Sequence, residues 1–205
     1  MIGVLAYGSL ITDPGVELAA VIVGEKRQLI TPFAVEFARS SSKRFGAPTL
    51  VPIQNGGRPV LATLLKVSVD EQEALDIVYR REINAVGSQR TYSDPAPDKI
   101  NAVRLDRFRN FEGFDLVICA ALRPNIENLS AELLADLAIA SARELRDGRD
   151  GISYLMSAKS CGIETELTAE YEAAVLKRTG TTSLSEALAA VHAEAPQHRY
   201  IECPL

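Results

Sequence analysis

The sequence predicts an α+β fold, and three observations carry that prediction. Extended stretches separated by Gly, Pro and Ser clusters occupy the first third of the chain. One capped helix and two more strands follow, and the last third turns to Ala- and Leu-rich helical periodicity. Strands gathered ahead of helices, without strict alternation, favour α+β over a doubly wound parallel sheet.

In chain order, strands are predicted at residues 2–6, 34–39, 49–53 and 59–67. In "VEFARSS", Val35 and Phe37 point one way and Glu36 and Ala38 the other. Asn55-Gly56-Gly57 supplies turn chemistry between two of these strands and predicts a hairpin there. The first helix starts at Asp70, which with Glu73 has the spacing of a capping box, and Leu75, Val78 and Tyr79 form its apolar stripe. Residues 83–99, polar and holding two prolines, read as a long loop and a candidate lid containing Tyr92.

Two strands are expected at 101–108 and 114–122. From Ser130, Leu134, Leu137, Ala138, Ser141 and Leu145 line one face of a helix that Gly148 would stop. A second helix spans Thr168–Thr179 before Gly180, and a third starts at Ser183, which repeats the capping-box spacing with Glu186.

Composition narrows the function. The 205 residues are 47% apolar and 24% charged with a net charge of −5, so general affinity for nucleic acid or an anionic membrane is not expected. No segment approaches the roughly 20 apolar residues that cross a bilayer, and the N-terminal apolar run is too short for a signal peptide. Cys119, Cys161 and Cys203 are widely spaced, without a CxxC pair, which fits a reducing cytoplasm and suggests neither disulfides nor a thiolate zinc site. His192 and His198 lack metal-ligand spacing, and no GxGxxG or Walker pattern follows a strand, so no metal or nucleotide cofactor is expected.

Two places stand out chemically. In "LAYGSLIT" an apolar strand runs straight into Tyr7-Gly8-Ser9, which is either a tight turn or a loop whose backbone N–H groups approach an anionic ligand closely. Glu82 continues the stripe of Leu75, Val78 and Tyr79 near the helix C-terminus, where both desolvation and the helix dipole act against a negative charge. Such a carboxylate suits general acid–base work, although a structural pairing with Arg104 or Arg107 would equally occupy it, and Arg81-Glu82 could equally be a solvated charge pair. Arg39, Lys43 and Arg44 around "SSSKRFG" could offer positive charge to a substrate carboxylate, or form an ordinary solvated loop. Cys119, in an apolar strand, reads as a small core residue.

The strand-to-"YGSL" motif, "VEFARSS" and "ALDIVYRREIN" together resemble the γ-glutamylcyclotransferase-like proteins, including the glutathione-degrading ChaC branch, over residues 2–122. The resemblance implies a small mixed β-barrel with a flanking helix over residues 1–125, with residues 126–205 as a helical extension packed on it. It further implies that Tyr7, Gly8, Ser9 and Leu10 form the substrate loop and that Glu82 is the catalytic carboxylate. The reaction would release 5-oxoproline from a small-molecule γ-glutamyl amine or peptide, with no metal or cofactor. A non-catalytic binding or regulatory module on the same fold is the alternative, an enzyme activating water against another acyl-amide is a third, and a homo-oligomer is left open.

Overall fold

In the computed structural model, which describes residues 1–96, 98–99 and 101–194, β1 (Ile2–Ala6) lies at the centre of a five-stranded mixed sheet. It pairs antiparallel with β5 (Leu61–Val67) and parallel with β7 (Phe114–Ala120). Being central, β1 is covered on both faces: Val4 and Ala6 enter one apolar cluster and Leu5 enters another, which is why "GVLA" carries no polar alternation. β2 (Ile22–Ile30) lies outside β5 and β6 (Leu105–Phe111) outside β7, giving the order β2-β5-β1-β7-β6.

Among the described residues no ladder joins the two outer strands, so the sheet is open by backbone hydrogen bonding. Side chains meet across that opening: Lys26 pairs with Glu112 at 2.6 Å, and the rings of Phe33 and Phe108 stack at 6.0 Å.

A second sheet holds only β3 (Val35–Ser41) and β4 (Ala47–Pro52), antiparallel and joined through a short 3-10 turn, Ser42–Arg44. The hairpin expected around Asn55-Gly56-Gly57 is therefore not formed, because β4 pairs with β3 while β5 pairs with β1 and β2. The turn instead carries the chain from one sheet to the other. Gly57, at φ 64°, presses against β3 so closely that a Cβ would stand 2.7 Å from the Val35 carbonyl oxygen.

α3 (Glu71–Glu82) begins as predicted, with the Asp70 carboxylate accepting the Glu73 N–H at 2.9 Å. Leu75 and Val78 are buried between this helix and the sheet, which leaves Glu82 at the last helical position. The segment after it is anchored around Tyr92, in contrast to the expected lid. Tyr92 is 5% exposed, its N–H donates to Asp76 at 2.6 Å, and its hydroxyl accepts the Leu105 N–H at 3.0 Å while donating to Asp94.

Four C-terminal helices, α4 (Ala131–Glu144), α5 (Gly151–Ser160), α6 (Thr168–Thr179) and α7 (Leu184–Glu194), pack on one another and on the two-stranded sheet. Val35, Phe37 and Leu50 of that sheet share one apolar cluster with Leu134, Ile152, Leu155 and Tyr171, and the Phe37 and Tyr171 rings meet edge to face at 5.3 Å. The other side of β3 is covered as well. Glu36 is 1% exposed and accepts the N–H of Phe37 at 2.8 Å and of Leu167, at the start of α6, at 3.0 Å. Residues 126–194 thus share their core with β3 and β4.

Candidate functional site

A cavity of about 620 Å³ opens where the end of β1, the C-terminus of α3, the β3–β4 turn and α5 converge. β1 stops at Tyr7-Gly8 because Gly8 adopts φ 63°, ψ −138°, a backbone geometry that side-chain-bearing residues avoid. The chain then turns into a one-turn helix, α1 (Ser9–Thr12), followed by α2 (Val16–Val21). Ser9 and Leu10 face the cavity, and the N–H groups of residues 8–10 meet no acceptor among the described residues. Tyr7 also lines it, and its hydroxyl donates to the Ala120 carbonyl at 3.0 Å, tying β1 to the end of β7. Burial holds the Tyr7 phenol protonated well above its ordinary range, assisted by the negative potential of Cys119, Tyr154 and Glu82.

Glu82 reaches the same cavity from α3, and its partner is Arg81, not Arg104 or Arg107. Arg107 pairs with Glu71 and Asp94, and Arg104 donates to the Ala96 carbonyl. The Arg81 guanidinium bridges three groups. It donates to Glu82 Oε1 at 2.8 Å, to Ser9 Oγ at 3.2 Å and to the Asp13 carbonyl at 2.8 Å. The Arg81 and Glu82 side chains are only 15% and 12% exposed, so solvent screens this pair less than it would a surface pair. The structure thus brings the two outstanding sequence features, the Tyr7–Leu10 loop and Glu82, to one place and joins them through a single side chain.

The opposite wall is cationic. Arg39, Lys43 and Arg44 line it, as does Arg149 from the loop before α5. Arg39 donates to the Arg123 carbonyl at 2.7 Å, and Arg44 donates to the Arg149 carbonyl at 3.3 Å while its guanidinium lies over the Tyr154 ring at 5.0 Å from the centroid. Desolvation lowers the Lys43 ammonium from the usual lysine range, and Glu82 opposes that shift.

Tyr154 escaped the sequence reading altogether. Its hydroxyl accepts the Leu50 N–H at 3.4 Å, and burial raises its pKa above the ordinary phenol value. Its helix has a local signal, Asp150, whose carboxylate caps α5 by accepting the Ser153 N–H at 2.9 Å. Nothing local, however, announces a contact with residue 8.

The remaining candidates have structural settings. Cys119 is 1% exposed, and burial pushes its thiol well above the normal range, away from the thiolate a nucleophile needs. His192 bonds the Leu145 carbonyl at 3.2 Å, while His198 and Cys203 lie outside the described residues. Among the described residues there is no group of three or more His, Cys, Asp or Glu side chains able to hold a metal ion, and no helix is long and apolar enough to cross a membrane.

Comparison of the chain with known protein families, with curated proteins and with solved structures finds no match in any of the three.

Proposed function

We propose that the protein is a γ-glutamylcyclotransferase-like enzyme, releasing 5-oxoproline from a γ-glutamyl amine or peptide at the cavity between the Tyr7–Leu10 loop and Glu82. On this reading the five-stranded sheet, bridged at its open side by Phe33 and Phe108, is the small mixed β-barrel of that family, and the protein works in the cytoplasm on a small molecule. The observation that carries the reading is the Arg81 bridge between Glu82 and Ser9, because it holds a carboxylate and a strand-end loop with free N–H donors at one cavity.

The chemistry uses only groups of this chain. The substrate's α-amine attacks its own γ-carbonyl carbon, forming the five-membered ring as the bond to the departing nitrogen breaks. Glu82 takes the proton the amine loses and delivers it to the departing nitrogen. Arg81 binds Oε1 and so fixes the carboxylate's orientation, while Oε2, which has no hydrogen-bond partner among the described residues, is the oxygen available to the proton. N–H groups of residues 8–10 receive the developing oxyanion. The cationic wall holds a substrate carboxylate, and holding both ends orients the chain for ring closure.

Incubation with a panel of γ-glutamyl compounds, without added metal or nucleotide, tests the reading by mass spectrometry of 5-oxoproline. Glu82→Gln keeps the shape but cannot accept the proton, so it should abolish release. The Arg81–Glu82 ion pair favours a second reading, a non-catalytic binding module, since it engages the carboxylate in the resting protein. Binding of γ-glutamyl ligands without 5-oxoproline from any of them would select that reading.

A further inference from the structure

The end of α3 carries two consecutive arginines, and they reach different groups. Residues one apart on an α-helix point roughly 100° apart, so Arg80 and Arg81 leave the helix in different directions. Arg81 reaches the Ser9 hydroxyl and the Asp13 carbonyl, ahead of α2. Arg80 does not line the cavity. Its Nε donates at 2.8 Å to Oε2 of Glu17, in the first turn of α2, and its Nη1 donates to the Arg90 carbonyl at 3.0 Å. Glu17 Oε1 accepts the Gly87 N–H at 2.5 Å, which ties α2 to the loop after α3 as well. Asn84, at φ 55°, turns that loop back, and the Ala85 N–H donates to the Arg80 carbonyl at 2.8 Å.

Two observations set these contacts apart from ordinary surface ion pairs. From Ile11 to Glu17 no residue is buried, whereas Leu10 and Leu18 on either side are, so apolar packing does not fix the stretch that carries the Asp13 carbonyl. Among the described residues, Arg80–Glu17 and Arg81–Glu82 are also the two least exposed ion pairs, so water screens them less than the others. Between them Gly15, at φ 76°, lies so close to the helix end that a Cβ there would stand 3.3 Å from Arg81 Cγ. The stretch is thus pinned by two neighbouring arginines, with bare backbone pressed against one of them.

Arg81 depends on that stretch, because the Asp13 carbonyl lies within it and Ser9 just before it. We propose that Glu17 and Arg80 are positioning residues of the site: by clamping residues 11–17 to the end of α3 they keep the Asp13 carbonyl against the Arg81 guanidinium, and so keep Glu82 and Ser9 in register. Neither residue lines the cavity, so both act through Arg81. The inference rests on the γ-glutamyl reading for what the positioned groups do in turnover, whereas the clamp itself is read directly at Arg81.

The full-length protein carrying Glu17→Gln or Arg80→Met tests the clamp in two ways. NMR of the Arg81 guanidinium, its signals assigned by their loss in Arg81→Lys, should show separate, slowly exchanging Nη groups in the wild type and averaged ones in both variants. With γ-glutamylglycine as probe, kcat for 5-oxoproline release should fall about tenfold to a hundredfold, the scale of a misplacement of about 1 Å, with KM moving far less. The double variant should lose no more than the worse single one, because both break the same clamp. Arg80→Lys keeps a cation for Glu17 and should recover most of the loss. Circular dichroism and thermal melts verify folding, and where Arg80→Met does not fold, Glu17→Gln, which keeps the side chain's shape, carries the test. Arg81 signals unchanged in the variants, a lower melting temperature with kcat intact, or losses that add in the double variant would overturn the proposal. Averaged Arg81 signals in the variants, with no 5-oxoproline from any of the proteins, uphold the clamp and defeat the enzyme reading.

Discussion

The hydroxyl oxygen of Tyr154 stands 2.7 Å from the place a Cβ on Gly8 would occupy. A residue of the C-terminal helical layer is therefore fitted to the bare backbone at the end of β1, and the short strand-to-Gly stop has two causes in the fold. One is the positive φ of Gly8 and the other is the space that Tyr154 fills.

Gly8→Val should accordingly abolish function, because it adds bulk against a buried ring and forces a strained backbone worth about 1–3 kcal/mol. Ser9→Ala removes only one acceptor from the Arg81 guanidinium, which keeps Glu82 and the Asp13 carbonyl, so it should lower turnover far less than Gly8→Val does. Steady-state kinetics on the two variants check this. Abolition of turnover by Ser9→Ala in a folded protein would require a hydroxyl role in place of the backbone donors.

Tyr154→Phe and Tyr154→Leu separate the two jobs of that ring. Phe keeps the face beneath Arg44 but leaves the buried Leu50 N–H without its acceptor, at a cost of about 1–3 kcal/mol in stability. Leu removes the aromatic face too, which should release Arg44 and weaken ligand affinity further. Thermal melts with calorimetric binding distinguish the variants; equal affinity in both would show that the stacking does not orient Arg44.

How much of this was legible beforehand depended on whether the cause was local. α3 was legible because Asp70 and Glu73 cap it and Leu75 and Val78 repeat at helical spacing, all within one window. β2 was not, since an edge strand reading "GEKRQ" is mostly exposed and has no apolar alternation to betray it. The turn at Asn55-Gly56-Gly57 was recognised as a turn but assigned the wrong partners, because strand pairing is decided by packing across the molecule. At the site, Tyr7, Ser9, Leu10, Glu82, Arg39, Lys43 and Arg44 all reached the cavity from the sequence reading. Arg81 was seen only as a surface charge beside Glu82, and Tyr154 was invisible, as both owe their place to residues far away in the chain.

Glu36 tests whether the helical layer and the sheet are one cooperative unit. Its buried carboxylate satisfies two backbone N–H groups, one on β3 and one at the start of α6. In Glu36→Gln only one oxygen remains, so one N–H faces an amide donor and stability should drop by about 1–3 kcal/mol. A fragment of residues 1–125 would expose Phe37 and Leu50 where α4–α6 now cover them, and should be degraded rapidly in limited proteolysis. A stable, folded fragment would show that the helices are dispensable to the sheet.

The pH dependence of anion binding should report Lys43. Desolvation favours its neutral form, so its pKa lies below the ordinary lysine value of about 10.4. A bound carboxylate favours the charged form and raises that pKa. The sign follows: affinity is full below the lowered pKa of the free protein and falls as pH rises through it toward the higher value of the complex. The charged and titratable groups that share the cavity with this lysine are Asp13, Glu82, Arg39, Arg44, Arg81, Arg149, Tyr7 and Tyr154. Burial holds the two phenols protonated to higher pH and lowers the Arg39 guanidinium from its ordinary value. Loss of affinity for a γ-glutamyl ligand should therefore begin at a pH below that of an unperturbed lysine, and Lys43→Arg should retain affinity through the same range. Calorimetric titrations of both proteins across the alkaline range decide it: parallel profiles for wild type and Lys43→Arg would assign the pH dependence to another group and remove Lys43 from the anion site.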